Sequence, residues 1–231
     1  MNSDKNTPRL LGAAFLFVMV ASILSGLLLK SVVGSGSISD ILVNISDNLT
    51  LMRISNVVGL VTSMGIVVLA VLLYIVLHKQ NKIIALVALG WWLAEAISLA
   101  VSKIGLFALI PLSLEFVEAG APAASYFQTL GDFLYSGVYQ QGDNIHMLFY
   151  CLGGILWFYL FYRSRYIPRV ISVLGLAIES LALIGMVLLL FAVSVNMFFF
   201  YPIIALELTI GLWLMVKGIR DGSEIKTENQ T

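Results

Sequence analysis

The chain has 231 residues, of which 60% are hydrophobic and 11% charged, with a mean hydropathy of +0.98 and no formal net charge at pH 7. Soluble domains carry about 25% charged residues, so water is not the main solvent of this sequence. No block of Lys and Arg reaches the density that nucleic acid demands, which excludes nucleic acid and leaves the lipid bilayer as the principal partner.

A hydrocarbon core of roughly 30 Å takes about 20 mostly apolar residues per helix. Six stretches meet that length, at 10–29, 54–77, 83–110, 145–162, 170–193 and 198–216. They predict one all-α domain over 1–231, a polytopic membrane protein built as a six-transmembrane-helix bundle. The first stretch follows Lys5 and Arg9 as a secretory signal would, but its apolar core runs about 20 residues against the usual 7 to 15, and no clear A-x-A site follows. It is read as an uncleaved first helix. The lone cysteine, Cys151, lies inside an apolar run and reads as a small packed hydrophobe.

Lys and Arg in short loops mark the inner side of a membrane. Lys5 and Arg9 precede the first stretch, Lys79 and Lys82 join the second and third, Arg163, Arg165 and Arg169 join the fourth and fifth, and Lys217, Arg220 and Lys226 follow the sixth. Only Lys30, Arg53 and Lys103 fall elsewhere among the 13 basic residues. This bias predicts a multi-pass protein of the cell membrane with both termini cytoplasmic and a cytoplasmic tail at 218–231.

Of the two outer segments, 31–53 carries Ile38, Ile41, Leu42, Ile45, Leu49 and Met52 at helical spacing, with Asp40, Asn44, Asp47 and Asn48 on other faces. A short interfacial helix is expected there, either lying on lipid or packed as a lid on the helix ends. Segment 111–142 holds Glu115, Glu118 and Asp132 with no Lys or Arg, and aromatic residues from Tyr126 to Tyr139. It reads as an acidic, aromatic cap that draws cations, or as a solvated loop with interfacial anchors. No internal repeat of the kind many transporters carry is visible.

The fourth inner loop, YRSRYIPR at 162–169, is followed by Ser172 and Gly175. Together with Asn44, Ile45 and Ser46, with Glu95, and with the ending from Glu207 to Gly218, it resembles the bacterial membrane proteins grouped as domain of unknown function 4386. The resemblance covers 9–218. It implies a six-helix bacterial integral membrane protein and supplies no catalytic residues. On physical grounds alone, Arg163, Arg165 and Arg169 at a helix end clasp lipid phosphates and fix topology.

Three carboxylates lie deep in the apolar stretches: Glu95, Glu179 and Glu207. An ionised group at mid-bilayer costs about 2.5 to 3.5 kcal/mol on insertion scales. Keeping a glutamate protonated at neutral pH costs about 3.7 kcal/mol. These costs are too close to choose a charge state, but both direct the groups inward or towards one another. Trp91, Glu95, Ser98 and Ser102 recur at spacings of four, three and four, drawing one polar stripe with Lys103 beside it. Ser172, Gly175 and Glu179 make a second stripe, and Ser55, Gly59 and Ser63 a small-residue face flanked by Asn56 and Thr62. Asp143, Asn144 and His146 open the fourth stretch, whose face continues through Tyr150 and Gly153 or Gly154.

The expectation is a polar pocket with Glu95, Glu179 and Glu207 at its floor, Ser98 and Ser102 on its wall, and Arg53, Asn56, Lys103, Asp143 and His146 at its outer mouth. Such a pocket suits a small ligand or ion, for transport or sensing. The alternatives are a structural scaffold that pairs with a membrane-protein partner or with copies of itself, and an intramembrane enzyme acting on lipid. The enzyme reading is the weakest, because His78 and His146 fall on opposite predicted sides and no H-E-x-x-H or G-x-S-x-G occurs. The spacing demands no metal site, although one His with Glu residues could form a mononuclear one, and it leaves any cofactor unknown.

Overall fold

A computed structural model describes residues 3–123, 125–191 and 193–220, and the described chain is helical with no strand. The elements are α1 (Ser3–Val33), α2 (Ile38–Asp47), α3 (Leu49–Leu77), α4 (Lys82–Glu118), α5 (Tyr126–Asp132), a π-helical stretch (Phe133–Gln140), α6 (Gln141–Ser164), α7 (Arg169–Leu190), a 3-10 turn (Met197–Phe199) and α8 (Tyr201–Val216). Most of the tail expected at 218–231 lies outside the described residues.

Among the described residues, five helical segments are long and apolar enough to cross a membrane: Asn6–Val33, Leu49–Leu77, Lys82–Glu118, Tyr126–Ser164 and Arg169–Leu190. The sixth expected stretch is a helix of only 16 residues, Tyr201–Val216. It starts three residues later than the apolar run, because the Asn196 carbonyl accepts from the Phe199 N–H at 3.0 Å to close a 3-10 turn, which the Asn196 carboxamide oxygen supports by accepting from the Phe198 N–H at 3.0 Å. Conversely α4 runs past the expected end at 110 to Glu118, carrying Pro111 inside it. Leu109, Ile110, Leu112 and Phe116 are buried on both sides of that proline, so packing outweighs the lost backbone bond.

The chain divides into two compact units, and each is described by itself. The first comprises 1–19, 65–95 and 147–231. Its centre is aromatic: Trp92 stacks on Tyr150 at 5.9 Å and meets Phe15 and Trp157 edge-on at 6.3 and 6.1 Å. The Trp92 indole N–H donates to the Tyr150 carbonyl at 3.1 Å, so the cluster is pinned by direction as well as by area. Glycines bring the helices close. A Cβ on Gly12 would stand 2.7 Å from the Gly211 carbonyl, which places the α1 and α8 backbones in contact.

The second unit comprises 20–64 and 96–146. Here Gly34, at φ +66°, ends α1 in a conformation that favours glycine, and Ser37 starts α2. Ser37 Oγ accepts from the Asp40 N–H at 3.3 Å while Asp40 accepts from the Ser37 N–H at 2.8 Å, a reciprocal capping box. Ile41, Leu42 and Ile45 on α2 are buried with Leu106, Leu109 and Phe116 of α4 and Phe127 of α5. The apolar face of α2 therefore packs on protein, the lid of the two sequence alternatives. Ser25 and Ser55 exchange hydroxyl-to-carbonyl bonds of 3.2 and 3.1 Å, joining α1 to α3 without leaving a buried donor idle.

Helix α7 shows which solvent this surface meets. Its buried positions are Ser172, Gly175, Glu179, Ala182, Gly185 and Met186, a stripe of small and polar residues. Val170, Val173, Leu174, Leu181 and Ile184 face outward. That is the reverse of a soluble helix, and it fits a hydrocarbon exterior.

Candidate functional site

The structure brings Glu95 of α4, Glu179 of α7 and Glu207 of α8 together within the first unit, in electrostatic reach of one another. Glu179 is fully buried and Glu95 nearly so, while Glu207 is half-buried. Each arrives by helical spacing. Glu179 lies one turn beyond Gly175 on the buried stripe of α7, and Glu95 follows Trp92 and Trp91 down α4.

The carboxyls differ in how they are satisfied. Glu207 Oε1 accepts from the Tyr150 hydroxyl at 3.0 Å. Oε2 of Glu95 and both oxygens of Glu179 are buried with no hydrogen-bond partner. The Tyr150 hydroxyl and the Cys151 thiol stand near Glu179 but outside hydrogen-bond geometry. Gly154 explains why Glu179 fits at all: a Cβ there would sit 2.8 Å from the carboxyl carbon, so only glycine leaves room for the carboxyl against α6. Ser172, one further turn back on α7, also has a buried hydroxyl without a partner.

A buried polar atom without a partner is rare and costly in a folded protein. Three such carboxylate oxygens, Oε2 of Glu95 and both of Glu179, lie in this one unit. Among the described residues no group of three or more His, Cys, Asp or Glu side chains is arranged to hold a metal ion.

The remaining expected pocket residues lie in the second unit. Lys103 is buried at 5% exposure, its Nζ 5.0 Å over the Tyr139 ring. Asn56 is fully buried with neither amide atom hydrogen-bonded. Nδ1 of His146 lies 3.5 Å from Asp143 Oδ1, one turn back on α6. The Ser102 hydroxyl donates to the Leu99 carbonyl at 2.8 Å, Ser98 is half-buried and Arg53 is exposed. The ten expected residues thus fall into a carboxylate set in one unit and a mixed set in the other.

Of the basic loop residues, Arg165 is half-buried and the other two reach the surface. Arg163 and Arg169 are exposed, the Arg169 guanidinium lies 5.3 Å over the Tyr162 ring, and Arg165 adopts φ +57° just after α6. Pro168 caps the start of α7, where its missing N–H costs nothing.

Sequence reading did not assign Tyr150, Cys151 or Tyr139 to the site. Tyr150 was signalled by its place one turn after His146 on the same face of α6. Tyr139 was marked only as the end of the aromatic outer segment, and Cys151 carried no signal beyond its apolar surroundings.

Five long apolar helices, polar residues turned inward and large apolar ones turned outward define a multi-pass helical membrane protein. The chain belongs to the family described as domain of unknown function (DUF4386), which matches residues 10–218. Neither the curated proteins nor the solved structures contain a match to it.

Proposed function

We propose that this protein crosses the cell membrane six times with both termini on the cytoplasmic side, and that the Glu95, Glu179 and Glu207 cluster binds an ion or small ligand for transport or sensing. The single observation that carries the reading is Glu179, a wholly buried carboxyl with two unpartnered oxygens seated against a glycine. The ion that these groups suit best is the proton. Orphaned acceptors at this depth are satisfied by protonation and exposed by its loss, which is how intramembrane carboxyls relay protons.

The six crossings rest on the Lys and Arg bias of the short loops, with α8 as the last crossing. The hydrogen bond from Tyr150 gives Glu207 a structural part as well, so the exchangeable site centres on Glu179 and Glu95.

Reconstitution in liposomes with an imposed pH gradient, in sodium or potassium buffer, tests the proposal. Proton movement through the wild type that Glu179→Gln abolishes, with the variant folded and at least as stable, is the expected result. Absence of proton or cation flux and of cation binding, or flux that Glu179→Gln and Glu95→Gln leave intact, overturns it.

A further inference from the structure

The second unit holds a buried lysine with no ion-pair partner among the described residues, Lys103. Lys103 extends from α4 across α3, where a Cβ on Gly59 would meet its Cε at 2.7 Å, so the glycine makes the channel for the lysine stem. Its ammonium ends over the face of Tyr139, in the π-helical stretch Phe133–Gln140. A π-helical stretch is rare and is often found at functional positions.

Asn56 lies three residues before Gly59 on α3, on the same side of the helix. It is fully buried, and neither its amide nitrogen nor its oxygen has a partner. His146 faces the cluster from α6 with a buried Nδ1 that likewise makes no hydrogen bond. Asp143 is the acidic group in electrostatic reach of Lys103, but it is 41% exposed along its side chain, leans on His146, and forms no direct ion pair with the lysine.

These groups point to one ligand chemistry. A buried ammonium without a contacting counterion among the described residues, and an idle amide one helical turn from where the lysine stem crosses α3, match the two oxygens of a carboxylate. The idle Asn56 oxygen then accepts from a hydroxyl on the same molecule.

We propose that Lys103 and Asn56, with Tyr139 and His146 beside them, form a binding site for a small hydroxycarboxylate, with Lys103 pairing its charge and Asn56 reading its second oxygen and its hydroxyl. The site uses none of the three glutamates and stands or falls independently of them.

Calorimetric titration of the full chain in nanodiscs with lactate, acetate and chloride at equal ionic strength tests the site. Saturable lactate binding is expected, with acetate weaker and chloride silent. Lys103→Met is expected to weaken lactate about tenfold or more. Should Lys103→Met fail to fold, Asn56→Leu decides. It is expected to lose lactate binding while raising Tm by about 2–4 °C, because it removes an unpartnered amide from the interior. A site that is only structural predicts the opposite change in Tm. Lack of saturable lactate binding in the wild type, chloride binding as well as lactate does, or Asn56→Leu retaining full affinity overturns the proposal.

Discussion

The Tyr150 hydroxyl donates to Glu207 Oε1 across 3.0 Å, linking α6 to α8 through side chains 57 residues apart. Interhelical hydrogen bonds in membrane proteins contribute about 0.6 kcal/mol on average and up to about 1.7. Tyr150→Phe is expected to lower stability by about that range, and Glu207→Gln by less, since an amide oxygen still accepts. Unfolding of both single variants and the double variant in mixed detergent measures the coupling. A coupling energy of zero would show that the bond adds nothing to stability.

The glycines at helix contacts sort into two groups with opposite expected effects. A methyl group on Gly175 would collide with the Phe158 ring and one on Gly153 with the Trp92 ring, whereas Gly26 and Gly90 face open space. Gly175→Ala and Gly153→Ala are expected to destabilise by about 1–3 kcal/mol through overpacking. Gly26→Ala and Gly90→Ala should be neutral or stabilising by up to about 1 kcal/mol, from helix propensity alone. Thermal denaturation of the four variants in one detergent makes the comparison.

The Ser37 and Asp40 pair gives α2 a pH-dependent start. Hydrogen bonds from the Ser37 hydroxyl and N–H hold the Asp40 carboxyl below its usual value of 3.8. A lowered folded pKa means that the stabilisation is complete above 3.8 and disappears as pH falls through the lower folded value. Amide exchange in 38–47 is therefore expected to speed up at low pH in the wild type beyond the change intrinsic to the chemistry. In Asp40→Asn that extra acid sensitivity should vanish, and in Ser37→Ala protection should be reduced at every pH.

Topology has a direct chemical readout, because the only cysteine, Cys151, is fully buried and supplies no background. Asp47, Lys82, Glu118 and Arg163 are all exposed. With a membrane-impermeant maleimide, Asp47→Cys and Glu118→Cys should react in intact cells, and Lys82→Cys and Arg163→Cys only after permeabilisation. Labelling of all four in intact cells, or of Lys82→Cys alongside Asp47→Cys, would contradict the proposed crossings.

The stripe Ser172, Gly175, Glu179 was legible in the sequence because helical spacing alone puts these residues on one face, and a bilayer forces that face inward. The amphipathic helix at 38–47 was legible for the same reason. The satisfaction of each carboxyl was not, since the partner of Glu207 comes from another helix and spacing carries no information about it. Local periodicity also missed the helix after Pro111, where burial of Leu112 and Phe116 decides the matter, and the π-helical stretch, whose backbone bonds leave no trace in hydropathy. The division of the ten expected pocket residues between two units depends on where helices approach, set by contacts such as Gly12 with Gly211 that a one-dimensional pattern does not pair.

Helix α8 is 16 residues long, about 24 Å at roughly 1.5 Å per residue, against a hydrocarbon thickness of about 30 Å. If α8 is the sixth crossing proposed above, it leaves a shortfall that thinning of the lipid near that flank would absorb, at fractions of a kcal/mol per Å. Lipids with shorter acyl chains fit it without distortion. On that six-crossing arrangement, saturated, long-chain lipids are expected to be depleted from the annulus around α8.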